Sequence, residues 1–495
     1  MRKLLLFVLL VPLGVLFVLA QPALTAMQRA ERSTTPTPVA VNIPIVSGCQ
    51  AEPPDCAGAA DETPTPPATA VSTAVATAAA TATATGTPDS APDITRVNAG
   101  GLGFSDVGAR QVVRTSTDRV YLFVPEIYKA FMHAYRATTS GTPAGFAEPD
   151  QAHWPTAASS IWAIDAAIDA NDRVQVVYLT EAGPIYATTF DTASDRWGTP
   201  ALIADSVWPN RNNGIRQGSA GVSLALDASG VAHVVYGKTQ SATRRVYYNN
   251  NQGGTWNHET VIDDQPEQDN SHATLAFGPN GTLYVAWLAD DGTKGALRMR
   301  SRTNGTWGTT SLIDDNAFRE DQYSIDQGPS LLVAIDGRVH VAYIGPYEPV
   351  ANAPTGYAYG RAHHKYSGNG GADWTSDDPP ERYTHDPALA TDGQGNLYMF
   401  GHRESWKANG CADMLVVTQP AAGSWDTWRV FAKGCYDSSV STKWSQYHWN
   451  MPAVLDVIYW TEKGPQGQAD YNELRYAEIR GGSAAINTLP EAGGP

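Results

Sequence analysis

Residues 223–236 read SLALDASGVAHVVY, and residues 274–287 read TLAFGPNGTLYVAW. In both stretches a polar turn separates two apolar runs, a pattern typical of a β-hairpin. The chain repeats this hairpin pattern seven times in all. The other copies, the last two of them looser, lie at residues 167–178, 332–343, 388–400, 119–124 and 457–460.

Equivalent positions of successive copies lie 51 to 60 residues apart. After the hairpin, each copy continues with a third apolar run, a turn that carries Gly and Trp, and a fourth run, as in residues 245–262. Units of four strands at this period predict a radially repeated β-propeller rather than a solenoid. The expected fold class is therefore all-β, a seven-bladed β-propeller. Six blades are the alternative, because the first and last copies are the weakest.

The first 95 residues differ in composition from the repeats. Arg2 and Lys3 precede an apolar run over residues 4–20. This pattern predicts a signal peptide within residues 1–26, with a retained membrane anchor as the alternative. Residues 27–95 are dominated by Thr, Pro and Ala, which favours a disordered linker. The propeller is assigned to residues 96–495, and the protein is expected to be secreted or displayed at the cell surface.

The charge balance restricts the class of partner. The net charge is −16, and the first 95 residues hold only 4 basic and 7 acidic residues, so most of the acidic excess lies in the propeller. An acidic surface argues against nucleic acid as a partner. An extracellular glycan or a cell-surface protein is expected instead, and the sequence leaves the oligomeric state open.

The four cysteines form two local pairs, and export permits disulfides. Cys411 begins the third strand of the sixth repeat and Cys435 ends its fourth, so the two would face each other across an antiparallel pair. We predict a disulfide between them. Cys49 and Cys56 would close a second, small loop within the linker.

The turn between the third and fourth runs carries a recurring motif. Residues 249–256 read NNNQGGTW and residues 367–374 read SGNGGADW. Asn or Asp caps the backbone of such a turn, Gly adopts positive φ, and Trp packs between strands. The motif resembles the Asp-box of BNR-repeat, sialidase-like propellers, with Asn where that family usually has Asp. The resemblance implies a family of sialidases, other glycan-active enzymes and non-catalytic binding propellers.

Propeller geometry separates these turns from the loops where function is expected. With four antiparallel strands per blade, the one-to-two and three-to-four turns share one face. The two-to-three loops and the connections between blades share the other. Functional residues are therefore sought just before a first strand or just after a second strand.

The sixth repeat has the densest set of polar residues at these positions. Arg can bind a carboxylate, His and a carboxyl group can transfer protons, and Trp can pack on the apolar face of a sugar. The candidate catalytic residues are His385, Asp386, His402, Arg403 and Glu404. The candidate ligand-binding residues are Trp406, Arg216, His272, Gln327, Tyr347, Tyr447 and His448. The alternative interpretation is an ordinary polar rim.

These residues favour recognition of an extracellular glycan or a surface partner, and they leave three alternatives open. The resemblance implies a sialidase, but the Phe/Tyr-Arg-x-Pro motif of that family does not occur in the chain. A uronate polysaccharide lyase needs a group that neutralises a carboxylate and a His or Tyr for proton transfer, which the sixth repeat could supply. A non-catalytic surface scaffold is the third alternative.

No cofactor is expected, and structural calcium is the one metal alternative. Asp263-Asp264 and Asp314-Asp315 would place oxygen ligands on the loops between blades. Neither run has an EF-hand pattern, so solvated acidic loops are the favoured interpretation.

Overall fold

The computed structural model describes most of the repeat region. The described residues are 111–125, 130, 132–143, 145–149, 159–205, 222–240, 243–266, 268–318, 328–346, 348–349, 358–380, 384–403, 411–435, 440–443, 454–462, 472–480 and 486–487. The signal or anchor segment, the linker, Cys49 and Cys56 lie outside this set. None of the helical structure in the described part of the chain has the length and apolar character needed to cross a membrane.

The described strands form seven antiparallel sheets of four or five strands, numbered here in chain order. Sheet 1 comprises β1 (Val112–Arg114), β2 (Val120–Pro125), β3 (Met132–Ala137) and β4 (Phe146–Ala147). Sheet 2 comprises β5 (Ile161–Ile168), β6 (Arg173–Thr180), β7 (Ile185–Asp191), β8 (Arg196–Trp197) and β9 (Ala201–Ala204). Sheet 3 comprises β10 (Ser223–Leu226), β11 (Ala232–Gln240), β12 (Thr243–Asn250) and β13 (Thr260–Val261), with a 3₁₀ turn at Gln252–Gly254.

Sheet 4 comprises β14 (Asp269–Phe277), β15 (Leu283–Asp290), β16 (Gly295–Thr303), β17 (Thr306–Trp307) and β18 (Ser311–Ala317). Sheet 5 comprises β19 (Ser330–Val333), β20 (Val339–Ile344), β23 (Ala362–Ser367) and β24 (Thr375–Ser376), and β21 (Glu348–Pro349) pairs with β22 (Ala358–Tyr359) beside it. Sheet 6 comprises β25 (His385–Thr391), β26 (Leu397–Arg403), β27 (Cys411–Gln419) and β28 (Arg429–Cys435). Sheet 7 comprises β29 (Val440–Lys443), β30 (Val454–Glu462), β31 (Asn472–Arg480) and β32 (Ile486–Asn487).

Successive sheets lie next to one another. The first strand of each sheet contacts the first strand of the next, and β29 of sheet 7 contacts β1 of sheet 1. The hydrophobic clusters lie between successive sheets, and one of them joins sheets 1 and 7. This is an all-β β-propeller, as the repeat pattern predicts.

Buried polar groups connect neighbouring inner strands. The Leu224 N–H donates to Asp165 Oδ2 at 2.7 Å, which links sheet 3 to sheet 2. The Leu389 N–H donates to Ser330 Oγ at 2.9 Å, which links sheet 6 to sheet 5. Because a buried N–H without a partner is costly, such contacts fix how one inner strand lies on the next.

A buried ion cluster joins the first and last sheets. Arg114 Nη2 donates to Asp456 Oδ1 at 2.5 Å, and its Nε donates to Asp456 Oδ2 at 2.9 Å. Arg114 Nη2 also lies 3.2 Å from Glu478 Oε1 and from Tyr476 Oη. The side chains of Arg114 and Asp456 are only 6% and 5% exposed, so each charge depends on the other in the folded protein.

The turns that resemble an Asp-box have the local geometry expected of Gly and a capping side chain. Gly370 and Gly371 have φ angles of 72° and 95°. The Gly371 N–H donates to Ser367 Oγ at 2.8 Å, and the Asp373 N–H donates to Asn369 Oδ1 at 3.0 Å. These bonds explain the turn but do not establish a family.

The two cysteines of the sixth repeat are ladder partners. Cys411 of β27 lies directly opposite Cys435 of β28. Directly opposed residues of an antiparallel pair have Cα atoms about 4.5–5.5 Å apart, which is within the range that a disulfide spans. The predicted positions are therefore compatible with a bridge, and the bridge itself stays a prediction.

Candidate functional site at the loop end

The register of the sheets defines two ends of the propeller. We call the end where first strands begin and second strands finish the loop end, and the opposite end the turn end. His272 lies near the start of β14, at the loop end of sheet 4, and His385 and Asp386 begin β25 at the loop end of sheet 6. His402 and Arg403 finish β26 at the same end.

A β-bulge interrupts β14 at His272. Ser271 pairs with Leu288 and Thr274 pairs with Ala286, so two residues of β14 lie opposite one residue of β15. The φ of His272 is 55°, a left-handed value that is uncommon for a residue other than Gly. Bulges and such backbone conformations are over-represented beside functional sites, since they aim a side chain away from the regular pleat.

The imidazole of His272 is held by its surroundings. His272 is 6% exposed, and its Nδ1 forms a hydrogen bond with Ser271 Oγ at 2.7 Å. The His272 side chain also lies against Gly328, which precedes β19 of sheet 5. A Cβ on Gly328 would come within 3.3 Å of His272 Cβ. The ring is thus packed between two sheets, and its orientation is fixed before any ligand arrives.

Sheet 6 has the same bulge at the same register. His385 pairs with His402 and Ala388 pairs with Phe400, so Asp386 and Pro387 supply the extra residue. Asp386 occupies the position that His272 occupies in sheet 4, because in each strand the next ladder residue lies two positions further on. The two sheets therefore present a histidine and an aspartate at equivalent positions of the loop end.

The backbone of sheet 6 brings four predicted residues to its loop end, namely His385, Asp386, His402 and Arg403. His385 lies directly opposite His402, and Arg403 lies opposite Asp413 of β27. Residues opposed in an antiparallel pair are neighbours across the two strands, so the two histidine positions lie next to each other in the ladder. Asp413 is a residue that the sequence analysis missed, since it lies inside a third strand rather than at a loop.

The other predicted residues lie outside the described part of the chain. They are Glu404, Trp406, Arg216, Gln327, Tyr347, Tyr447 and His448. The sequence analysis also missed Gly328, whose contribution is the space that its missing side chain leaves. The only sequence signal for it is the Gly-Pro pair that precedes β19.

Charged side chains of sheet 3 are paired with carboxylates of the same sheet or of sheet 4. Arg244 Nη2 donates to Asp269 Oδ2 at 2.6 Å. Glu259 Oε1 accepts a hydrogen bond from Tyr236 Oη at 2.5 Å and another from Lys238 Nζ at 3.4 Å. Burial, together with Glu259, raises the pKa of the Tyr236 phenol, which keeps it protonated. These groups are committed to internal contacts, so sheets 4 and 6 are the better place for a ligand.

The acidic runs considered for calcium have other partners. Asp263 Oδ1 accepts a hydrogen bond from Arg245 Nε at 2.5 Å, and Asp314 Oδ2 lies 2.5 Å from Lys365 Nζ. Contrary to the interpretation favoured by the sequence, neither aspartate is a solvated loop residue. Asp263 neutralises Arg245 on β12 of its own sheet, and Asp314 neutralises Lys365 on β23 of sheet 5. Within the described residues there is no group of three or more His, Cys, Asp or Glu side chains arranged to hold a metal ion.

Several solved structures are similar to this chain at low identity. An ulvan lyase of polysaccharide lyase family PL25 is 10% identical, with a TM-score of 0.48, and the match covers 77% of this chain and 95% of that one. An α-L-arabinofuranosidase from Fusarium graminearum is 14% identical, with a TM-score of 0.41 and coverage of 65% and 93%. An α-L-arabinanase from Penicillium chrysogenum is 8% identical, with a TM-score of 0.40 and coverage of 64% and 92%.

The sequence comparisons give no closer relation. No protein-family model matches the chain, and no curated protein matches it. Structural likeness of the strength given above does not extend to a substrate or a reaction. The function has to be argued from the residues at the loop end.

Proposed function

We propose that this protein is an exported propeller that binds an extracellular glycan at its loop end. The observation that carries the proposal is the pair of equivalent bulges in β14 and β25. They place His272 and Asp386 at matching positions, with His385 opposite His402 nearby. Such interruptions in an otherwise regular repeat are expected where a ligand is bound.

The residue types suit a ligand rich in hydroxyl and carboxyl groups. Imidazole and carboxylate groups exchange hydrogen bonds with hydroxyls, and the guanidinium of Arg403 can bind a carboxylate through two parallel bonds. His272 is already oriented by Ser271 and by the contact with Gly328. A preformed group of this kind loses little freedom on binding, which favours affinity.

A glycan array tests the proposal. Wild-type protein is expected to bind at least one class of extracellular glycan. His272→Ala and Arg403→Ala should each weaken that binding about tenfold or more, because each removes at least one hydrogen bond to the ligand. His258→Ala is the matched control, because His258 is exposed and lies in the turn between β12 and β13, at the turn end. Absence of binding to any glycan would overturn the proposal.

A second candidate function is lyase activity on a uronate polysaccharide. It is favoured by the opposition of His385 and His402 beside Arg403, which puts positions for a base, an acid and a carboxylate-binding group on one strand pair. The base would take the proton next to the uronate carboxyl group. The electrons of that C–H bond would form the new C=C bond as the glycosidic C–O bond breaks, and the acid would protonate the departing oxygen.

Ultraviolet absorbance of the unsaturated product is the measurement for the lyase. Wild-type protein should generate the signal from a uronate polymer, and His385→Ala and His402→Ala should abolish it while His258→Ala should not. If no uronate polymer gives the signal, glycan binding without cleavage is the better account. A sialidase-type hydrolase is a weaker proposal, tested by the release of sialic acid from a fluorogenic sialoside. A purely structural scaffold is the remaining proposal if the glycan array, the ultraviolet assay and the sialoside assay all give no signal.

We further propose that all seven sheets are blades of one ring. The hydrophobic cluster that joins sheets 1 and 7 and the Arg114–Asp456 ion pair support seven blades, since a six-bladed ring would leave one four-stranded sheet outside it. The relation to BNR-repeat propellers, the export signal and the Cys411–Cys435 disulfide also stay proposals. Secretion into the medium and a mass shift on reduction are the measurements that check the last two.

A further inference from the structure

Three arginines lie on one face of β16. Arg298, Arg300 and Arg302 are alternate residues of this strand, so their side chains point to the same side of sheet 4. Their ladder partners in β15, among them Trp287, belong to the hydrophobic cluster shared by sheets 3 and 4. We call these three residues the arginine ladder. It lies along the seam between sheets 3 and 4, two strands away from the bulge in β14, and Arg298 pairs with Trp287, the residue of β15 that lies opposite that bulge.

The ladder has no carboxylate partner among the residues that the structure describes. Arg300 donates to backbone carbonyl oxygens, including that of Ile262 at 2.7 Å. Arg302 donates to Tyr248 Oη at 3.1 Å. Arg298 Nε is buried and has no hydrogen-bond partner. Among the described residues, hydrogen bonds to carboxylates therefore do not compensate these three positive charges.

Other arginines at the same seam behave differently. On β12 of sheet 3, Arg244 pairs with Asp269 at 2.6 Å and Arg245 pairs with Asp263 at 2.5 Å. The whole chain has 50 acidic and 34 basic residues, so carboxylates are abundant. An uncompensated, partly buried guanidinium costs stability. A set of three in an acidic protein thus points to an anion supplied from outside the chain.

Aromatic rings hold two of the guanidinium groups in place. Arg300 Cζ and Arg302 Cζ lie 5.9 and 6.0 Å from the centre of the Trp307 ring, and Arg302 Cζ lies 5.2 Å from that of Tyr248. Cation–π contacts of this length orient the guanidinium without neutralising its charge. Leu312, directly opposite Arg298 in β18, is 48% exposed and gives the ladder an apolar edge.

We propose that the arginine ladder binds an acidic polysaccharide through its carboxylate or sulfate groups. Successive arginines are about 7 Å apart along the strand, since each residue advances ~3.4 Å. A linear chain with anionic groups at intervals can meet more than one of them, each through bidentate hydrogen bonds. Half-buried Trp307 and exposed Leu312 offer apolar contacts to the sugar rings between those groups. This site lies on β16, two strands away from the bulge in β14, and does not depend on the function proposed for the loop end.

Affinity electrophoresis tests the site. The gels would contain polygalacturonate as a carboxylate polymer, dextran sulfate as a sulfate polymer, or neutral dextran. Wild-type protein is expected to be retarded by at least one acidic polymer and not by dextran. Arg298→Met and Arg302→Gln should each weaken the binding about tenfold, the worth of one hydrogen bond to a charged group. Arg338→Gln is the matched control, because Arg338 also lies over an aromatic ring, 5.6 Å from Tyr366, but is paired with Asp336.

Thermal unfolding of the same variants separates a binding role from a structural one. Arg298→Met removes an unpaired charge, so its midpoint temperature should stay unchanged or rise while polymer binding falls. A lower midpoint for Arg298→Met would show that the ladder is structural and overturn the proposal.

Three further outcomes would contradict the site. The first is that neither acidic polymer retards the protein. The second is that Arg338→Gln weakens polymer binding as much as the ladder variants do. The third is that oligothymidylate, a nucleic acid, displaces the protein from the gel polymer at a lower concentration than the free acidic polymer does. His272→Ala should leave the retardation intact, so failure at the loop end is distinguishable from failure at the ladder. The polymer that gives the stronger retardation identifies carboxylate or sulfate as the group that is bound.

Discussion

The turn end and the loop end of the propeller satisfy their polar side chains in different ways. At the turn end, the second residue of the second strand is aromatic in five sheets, at Tyr121, His233, Tyr284, His340 and Tyr398. Tyr398 Oη donates to Asp392 Oδ2 at 2.9 Å, and His233 Nε2 lies 3.5 Å from Oδ2 of Asp227, the equivalent aspartate of sheet 3. At the loop end, bulges interrupt the first strand of sheets 2, 4 and 6, and the side chains at these interruptions differ.

The difference shows which residues specify the fold and which are available for function. A polar contact that recurs from sheet to sheet stabilises each blade, so a histidine within it, such as His233, is best understood as a structural residue. The bulges of sheets 4 and 6 also recur, but the residues that they carry differ, so those residues are not part of the repeated pattern. His272 and Asp386 belong to this second class, and mutations should therefore affect the two ends differently.

The largest effect is expected at the turn end, at the seam between sheets 1 and 7. Arg114→Met leaves the buried carboxylates of Asp456 and Glu478 without the cation that compensates them, so the free energy of unfolding should fall by about 3–5 kcal/mol. Urea unfolding measures the change. Asp336→Asn is the control, because Asp336 and Arg338 are 50% and 52% exposed and such a pair contributes only about 0–1 kcal/mol. Equal losses in the two variants would show that the seam is not held by this ion cluster.

The next effect concerns the loop end of sheet 6. Cys411 and Cys435 are opposed in the ladder, so a disulfide there would hold the edge that carries His402 and Arg403. Cys411→Ser should lower the free energy of unfolding by about 2–4 kcal/mol under oxidising conditions. Under reducing conditions the variant and the wild type should unfold alike. A wild-type protein whose stability and mass do not respond to reductant would contradict the bridge.

A smaller effect tests the packing of His272. Gly328→Ala places a methyl group 3.3 Å from His272 Cβ, so the His272 side chain must shift slightly. We expect this to cost about 1–3 kcal/mol of stability and to weaken glycan binding. Gly237→Ala is the control, since nothing lies within 4 Å of the added Cβ. Full glycan binding by Gly328→Ala would show that the orientation of His272 does not matter to the ligand.

The sequence predicts the repeated part of this molecule better than the interrupted part. The hairpin period and the turns containing Gly and Trp identify the propeller, and the phase of the repeats places Cys411 opposite Cys435 as found. The bulge at His272 is not predictable, because one extra residue in β14 changes neither the apolar pattern nor the period. The contact of Gly328 with His272 and the position of Asp413 opposite Arg403 depend on neighbouring strands that a single sequence does not align.

The last prediction concerns the pH dependence of stability and involves His340 and His364 at the turn end of sheet 5. The effect is smallest at neutral pH and grows in acid. His340 Nδ1 and His364 Nε2 lie 3.1 Å apart with their rings stacked, and His364 Nδ1 donates to the carbonyl oxygen of Asp377 at 3.0 Å. Burial, with a smaller contribution from His364, lowers the pKa of His340 to about 3, and burial also lowers the pKa of His364. Both rings are therefore neutral in the folded protein at neutral pH.

The sign of the pH dependence follows from these directions. Below about pH 6.5 the unfolded chain binds protons at these histidines that the folded chain does not, so stability is lost as the pH falls. Each histidine contributes a slope of about 1.4 kcal/mol per pH unit in that range. His340→Gln should remove one such contribution, measured as a shallower fall of urea stability between pH 6 and pH 4, whereas exposed His258→Gln should leave the slope unchanged. Equal slopes for wild type and His340→Gln would mean that His340 takes up its proton as readily in the folded protein as in the unfolded chain, contrary to the effect expected of its burial.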